Sequence, residues 1–344
     1  MSFFAVLFAL ILEQARPLAR GNWMHVRLRR WARWSRRSID AGRAHLGWIA
    51  WSVAVIVPSA LTLLINLLLW QISSVLAFLW SVAILYATLG FRQFSHHFTT
   101  IRDALDDGDE DGARELLANW RQVDSSELPR SEIVRHVIEY SVLAAHRHVF
   151  GVLGWFSVFA ALGLGPAGAV FYRMAEFVSR YWESQSNRPG EGASAALQRV
   201  AARAWSAIDY LPARITALGF AVVGSFEDAI DAWRTYIQQS RLGPPGTAVQ
   251  HNDGVILAAT SGAVNVQLGG LALRPRPSSP ASEPRPSAGL DFGGVARELD
   301  SSTAALPGRQ PEVGHLRSIV GLVWRSVVLW MVLLALLTLA RLLG

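Results

Sequence analysis

Five ionisable side chains lie within or beside otherwise apolar stretches of this chain: Asp124, Glu139, Arg173, Asp209 and Arg214. Carrying a charge to membrane depth is costly, so groups in such places are either paired with one another or used. In the structural reading, Asp209 and Arg214 neutralise each other. In the functional reading, Arg173 and Arg214 hold an anionic ligand or headgroup, because the planar guanidinium fork matches phosphate oxygens. The histidines point elsewhere. His146 and His148 are two residues apart, on different faces of a helix, and His96 and His97 are adjacent. Neither pair suits a shared metal, so interfacial or structural roles are expected and no metal site is.

Composition removes several chemistries. Cysteine is absent, and all 32 basic residues are arginine. Disulfides, Cys-ligated zinc and thiol nucleophiles are excluded. So are the P-loop lysine that reaches the β- and γ-phosphates and the lysine Schiff base of pyridoxal phosphate. There is no Gly-x-Ser-x-Gly elbow and no His-Glu-x-x-His pair. The run Asp106-Asp107-Gly108-Asp109-Glu110-Asp111 resembles a calcium loop only superficially, because helix-forming residues resume too soon for a ligand at the twelfth position. It reads as a solvated turn between two helices over Asp103 to Leu117.

The elements that position these groups are dictated by hydropathy. From Ala44 to Phe91 the chain runs 48 residues without Asp, Glu, Lys or Arg. About 20 apolar residues cross a bilayer, so this length reads as two spans, Gly47 to Trp70 and Val75 to Phe91, with Trp70 and Trp80 as interfacial anchors. Nine arginines between Arg16 and Arg43 precede it. The positive-inside rule places that segment in the cytoplasm. Its Arg/Trp interleaving from Arg27 to Arg37 reads as an amphipathic helix on anionic headgroups, with Trp31 and Trp34 at the interface; no nucleic-acid partner is expected.

The expected architecture is an all-α integral membrane protein, a helical bundle in six parts. A short apolar N-terminal helix and the Arg/Trp-rich segment occupy 1–46, the transmembrane hairpin 47–92 and cytoplasmic helices 93–148, including an amphipathic helix from Ile133 to Ala145. A core with membrane-embedded segments follows at 149–273. There Gly163, Gly165, Pro166 and Gly168 interrupt the apolar run Val149 to Phe171, which reads as a broken or re-entrant hairpin that keeps the later arginines in the cytoplasm. A Pro/Ser-rich linker spans 274–316, loose to about Glu312, and a transmembrane helix closes the chain at 317–344.

From roughly Leu89 to Gly270 the chain resembles the CobD/CbiB family of cobalamin-biosynthesis membrane proteins. Ala104 to Leu117 is similar to that family's acidic-turn helix pair. Val123-Asp124-Ser125 and Ile138-Glu139 are similar to its Arg-Asp-Thr and Ile-Glu signatures. Leu164-Gly165-Pro166-Ala167-Gly168 through Tyr172-Arg173 resembles its Gly-Pro-Gly turn and Tyr-Arg, and Tyr210-Leu211-Pro212-Ala213-Arg214 its Pro-Ala-Arg motif. Asn252-Asp253-Gly254 and Ser261-Gly262 through Gly269-Gly270 resemble two further glycine-containing segments.

The resemblance implies adenosylcobinamide-phosphate synthase activity, which joins aminopropanol or its phosphate to a corrinoid carboxylate with carboxyl activation attributed to ATP and Mg²⁺. It implies catalytic roles for Asp124, Glu139 and Asp209, and substrate binding by Tyr172, Arg173, Arg214 and Asn252. It also implies the bacterial inner membrane, multi-pass, with large loops cytoplasmic.

The departures are specific. Where the family carries Glu-Asn-Thr-Ser-Asp-Gly, this chain has His146-Arg147-His148-Val149-Phe150-Gly151. Glu176-Phe177-Val178-Ser179 replaces Asn-Thr-Leu-Asp, and Trp205-Ser206 replaces an acidic pair. Carboxylates that hold Mg²⁺ or accept a proton are not replaced in kind by Phe, Trp or Ser. The layout also resembles AmpE, an inner-membrane protein assigned to β-lactamase signalling, through Leu10-Ile11-Leu12-Glu13 and Asp209 to Arg214. The alternative expectation is therefore a regulatory membrane protein without enzymatic activity.

Overall fold

The computed structural model describes residues 2–15, 23–121, 124–185, 192–242, 248–270 and 306–343. Thirteen α-helices account for nearly all of these residues. They are α1 (Ser2–Ala15), α2 (Trp23–Ile39), α3 (Ala44–Ile72), α4 (Ser74–Thr88), α5 (Phe91–Asp106), α6 (Glu110–Arg121), α7 (Arg130–Ala145), α8 (Gly151–Ala161), α9 (Ala167–Ser184), α10 (Ala195–Val223), α11 (Phe226–Leu242), α12 (Ala248–Val264) and α13 (Val313–Leu343). A π-helical turn, His146–Phe150, joins α7 to α8.

Among the described residues, four runs are long and apolar enough to cross a membrane: Ala44–Ile72, Arg130–Ala161, Ala195–Val223 and Val313–Ala340. The first and last expose rows of apolar side chains, such as Leu61, Leu64 and Leu68 on α3 and Val332, Leu333 and Leu336 on α13. A helix with such a face must meet lipid or a partner helix. The chain is thus an all-α membrane protein with a C-terminal membrane helix.

Three expectations are corrected. The second arm of the hairpin, α4, has 15 residues. At 1.5 Å per residue it rises roughly 22 Å, less than a hydrocarbon core of about 30 Å. The helix beginning at Ile133 is not amphipathic. Every residue from Ile133 to Ala145 is buried, and the run continues through the π-helical turn to Ala161. Its polar side chains meet protein, which is why its sequence pattern mimics a half-exposed helix. The linker also ends sooner than expected. Residues 271–305 lie outside the described set, whereas Leu306 to Glu312 is built against the segment after α12. Gln267 N–H donates to Arg309 O at 2.7 Å, Leu306 N–H to Leu268 O at 2.8 Å and Ser261 Oγ to Pro307 O at 2.8 Å.

The chain divides into two compact units. The first comprises residues 1–92, 147–212 and 328–344. Within it, α3 packs on α2, α4 and α9, and α8 packs antiparallel on α9. The α8–α9 connection is the Gly-Pro cluster, with Gly163 at φ +78° and Gly165 at φ +59°, a left-handed backbone that L side chains resist. The interruption expected between Val149 and Phe171 is therefore a tight helical hairpin.

Two prolines inside long helices are accommodated by one device. Proline cannot donate to the carbonyl four residues earlier. In α3, Pro58 leaves the Ala54 carbonyl without its helical partner, and Trp31 Nε1–H of α2 donates to it at 3.2 Å. In α10, Pro212 leaves Ile208, and Trp155 Nε1–H of α8 donates at 3.1 Å. Where water is excluded, such a carbonyl must find a donor. Trp31 is thus committed to α3, while its stacking partner Trp34, 5.0 Å away, is half exposed on the arginine-bearing face.

The second unit comprises residues 93–146 and 213–327. Its centre is the antiparallel pair α11–α12, with α7 packed on α12 and on α6. Gly262 makes the close approach possible, because a Cβ there would lie 2.2 Å from the Asp228 carbonyl oxygen of α11.

Candidate functional site

In the first unit, α9 presents Tyr172, Glu176 and Arg180 at four-residue intervals on one face, with Arg173 beside them. Tyr172 is fully buried and its hydroxyl donates to Asp209 Oδ1 of α10 at 2.7 Å. The ring leans on Trp205, 5.2 Å between centroids. Room for the phenol comes from Gly151, where a Cβ would stand 2.1 Å from Tyr172 Cζ and Oη. Burial, then the neighbouring Asp209 charge, pushes the phenol well above its ordinary pKa, so it stays a hydrogen-bond donor.

Glu176 is buried between two cations: Arg173 Nη1 hydrogen-bonds to Oε2, and Arg180 Nε lies 3.1 Å from Oε1. Both carboxylate oxygens are engaged. A triad of this kind is held by mutual neutralisation, since removing one charge leaves the others desolvated.

In the second unit, Glu139 is the centre of another buried cluster. Its Oε1 accepts the Gly269 N–H at 2.7 Å and lies 3.6 Å from Arg135 Nη1, and its Oε2 lies 3.3 Å from His136 Nδ1. Arg135 also pairs with Glu132 and donates to the Gly269 carbonyl. The Leu268-Gly269-Gly270 segment is therefore clamped at both backbone polar groups of Gly269, which has φ +78°. At Gly270 a Cβ would lie 2.9 Å from Arg135 Nη1. The same unit holds Arg214, whose Nη1 donates to Asn252 Oδ1 at 3.0 Å, and His146, whose Nδ1 lies 2.9 Å from Thr216 Oγ1. Tyr236 covers Gly254, and burial with the nearby Asp253 charge pushes its pKa up to about 12.

The seven residues named as candidates thus fall into separate groups. Tyr172, Arg173 and Asp209 share a region of the first unit; Arg214 and Asn252 form a pair in the second; Glu139 belongs to the α7 cluster. Asp124 occupies an exposed turn, where Oδ1 accepts from Ser126 N–H at 3.2 Å and Ser126 Oγ at 2.8 Å. Sequence reasoning missed Arg135, His136 and Arg180, and took Glu176 only as a departure. Their signal was present as charge spacing: Glu132, Arg135, His136 and Glu139, then Arg173, Glu176 and Arg180, stand three or four residues apart. Among the described residues no group of three or more His, Asp or Glu side chains is arranged to hold a metal ion.

Spanning helices with buried ionic clusters and glycine-permitted close approaches define an integral membrane protein of the all-α class. Residues 3–287 match the CobD/Cbib protein family, and the chain belongs to it. It is similar to the "Cobalamin biosynthesis protein CobD" of Stutzerimonas stutzeri, 28% identical over 300 residues, covering 85% of this chain and 84% of that protein. The protein of the same name from Chromobacterium violaceum is 34% identical over 191 residues, 56% of this chain and about half (55%) of that relative's length. Leptospira interrogans relatives with this name are 28% identical over 225 residues, 65% of this chain and 66% of theirs. No solved structure matches the chain significantly.

Proposed function

We propose that this chain acts in cobalamin biosynthesis, at the step that forms an amide between a corrinoid carboxylate and aminopropanol or its phosphate. Its support is the family membership together with one observation: residues that carry the family resemblance are built into buried polar contacts. Tyr172 holds Asp209, and Arg214 holds Asn252. Arg173 and Arg214 are the phosphate-holding groups in this reading, since guanidinium forks bind phosphate bidentately. The arginine-bearing face of α2, with Arg30 and Arg33, lies on anionic headgroups at the cytoplasmic side of a bacterial inner membrane.

ATP and Mg²⁺ enter this reading only through the family. The carboxylates at the centres of the two buried clusters do not suit Mg²⁺: both oxygens of Glu176 face arginines, and Glu139 is taken up by Arg135, His136 and Gly269. Mg²⁺ demands near-octahedral oxygen ligands and is not shared with guanidinium at the same atoms. No step is routed through it. That occupancy favours a second reading, an AmpE-like regulatory membrane protein without catalysis.

Complementation of a strain lacking the synthase separates the two. Restored cobalamin-dependent growth by the wild-type chain, lost with Arg214→Gln, is the result expected for the enzyme. No growth despite full membrane expression overturns it in favour of the regulatory reading.

A further inference from the structure

Helix α2 is charged on one face and bonded to the protein on the other. Six of its 17 residues are arginine and none is Asp or Glu, so no ion pair can form within it. Arg27, Arg30, Arg33 and Arg37 stand three or four residues apart and are exposed, with Val26 and Trp34 half exposed on the same side. Like charges at these spacings destabilise a helix. That repulsion works against α2 unless an anion lies outside it.

The opposite face reaches three other helices of the first unit. Trp31 Nε1–H donates to Ala54 O and Ser35 Oγ to Ala50 O, both on α3, at 3.2 and 2.8 Å. The fully buried Trp182 of α9 donates its Nε1–H to Ala32 O at 3.2 Å. Asp40 continues from the last turn, its N–H bonded to Arg36 O at 2.8 Å. Its carboxylate holds the start of α10: Ser194 N–H donates to Oδ2 at 2.9 Å and Ser194 Oγ to Oδ1 at 2.7 Å. Ser194 Oγ in turn accepts the Leu197 N–H at 3.1 Å, as an N-cap does. Because α9 carries Tyr172 and α10 carries Asp209, α2 is tied to both helices of that buried pair.

We infer that anionic phospholipid headgroups on the arginine face act through α2 as an effector of the Tyr172–Asp209 region. This rests on the headgroup contact proposed above and adds what that contact does. The two states are α2 formed and docked, and α2 opened with Asp40 withdrawn from Ser194. Headgroups bind the first state better, because only the helix gathers the arginines on one face, and so they shift the population toward it. A lipid surface is the occupant because α3, a spanning helix, begins at Ala44 directly after this segment, and Trp34 stands among the arginines where an interfacial ring belongs.

The test is hydrogen exchange of the full chain, read by mass spectrometry, in nanodiscs of phosphatidylcholine alone and of an equal mixture with phosphatidylglycerol. Two arginines at an anionic surface are expected to slow exchange over Trp23 to Ile39 on the order of 30-fold. Over Ala193 to Val200 and Phe177 to Ser184 the expected slowing is about fivefold, the low end of coupling between sites. Asp40→Ala is expected to keep the α2 response and lose that of α10, and Trp182→Phe to lose that of α9 alone. If Asp40→Ala does not fold, Ser194→Ala decides in its place. Slowing confined to α2 in the wild-type chain overturns the effector role and leaves the headgroup contact standing; slowing of neither overturns both. An α10 response that survives Asp40→Ala overturns the route. Inorganic phosphate in neutral nanodiscs is expected to change nothing, and a full response to it overturns the membrane as the source. None of these arms reads a product, so the synthase reading stands or falls separately on complementation.

Discussion

Trp155→Phe tests the tryptophan–proline device directly. The indole N–H is 3.1 Å from the Ile208 carbonyl, which Pro212 has deprived of its helical donor. Removing the indole donor leaves the carbonyl without a partner, at a cost of about 1–3 kcal/mol. Trp155 also makes edge contacts with Phe159 at 5.7 Å and Phe171 at 5.2 Å, and a smaller ring weakens these too. That packing loss is the same whether or not residue 212 is proline, so a double-mutant cycle removes it. Pro212→Ala restores an N–H for Ile208, and in that background Trp155→Phe loses packing only. The expected coupling is about 1–2 kcal/mol, on the order of 3 °C in apparent unfolding temperature for a chain of this size. Intrinsic fluorescence of detergent-solubilised protein at a fixed scan rate reads it. A coupling indistinguishable from zero would refute the reasoning, because it would mean that the carbonyl finds another donor or needs none. The pair Trp31→Phe with Pro58→Ala should repeat the result on α3.

The remaining expectations concern the two clusters. Glu176→Gln leaves Arg173 and Arg180 facing each other with side chains only 14% and 11% exposed, and should cost about 3 kcal/mol; Arg173→Gln, which leaves one ion pair intact, should cost visibly less in the same thermal assay. Gly151→Ala drives a methyl into Tyr172 and displaces its hydroxyl from Asp209, at about 2–4 kcal/mol; the paired variant Gly151→Ala with Tyr172→Phe should recover little, because the ring itself is struck. Tyr236 has a folded pKa of about 12 against an ordinary 10.0. Its contribution is therefore whole below pH 10 and is lost as pH climbs toward 12, so Tyr236→Phe should flatten the alkaline decline in stability measured over that window.

What the sequence disclosed depended on the range of the interaction. The span Ala44–Ile72 and the C-terminal helix announce themselves because lipid-facing residues are apolar without regard to any partner. The helix at Arg130–Ala145 does not, because the group that answers Glu139 is the backbone of Gly269, 130 residues away. Read locally, Arg135, His136 and Glu139 mark a wet face; in the structure they are a dry one. Likewise nothing in Leu306 to Glu312 signals that its backbone pairs with residues 265–268. The ion triad on α9 was legible through three- and four-residue spacing, and reading Glu176 only as a lost family residue obscured what its position does.

Two departures from the family pattern, Arg147 and Glu176, act on one buried phenol, that of Tyr172. The segment that resembles an acidic family motif carries His146, Arg147 and His148 here, and these are buried. A nearby substitution adds a carboxylate, Glu176, where the family has an amide. Arg147 raises positive charge around Tyr172, and Glu176 opposes it; both act on the same phenol. Burying cations without such an acid would cost several kcal/mol per uncompensated charge. Glu176 supplies that acid for Arg173 and Arg180, to which its two carboxylate oxygens are committed. A phosphate that uses Arg173 shares the guanidinium with Glu176, whose Oε2 holds Nη1. Anion binding at α9 then becomes a competition between an internal carboxylate and an external phosphate, which Glu176→Gln should tilt toward phosphate even as it destabilises the ligand-free protein.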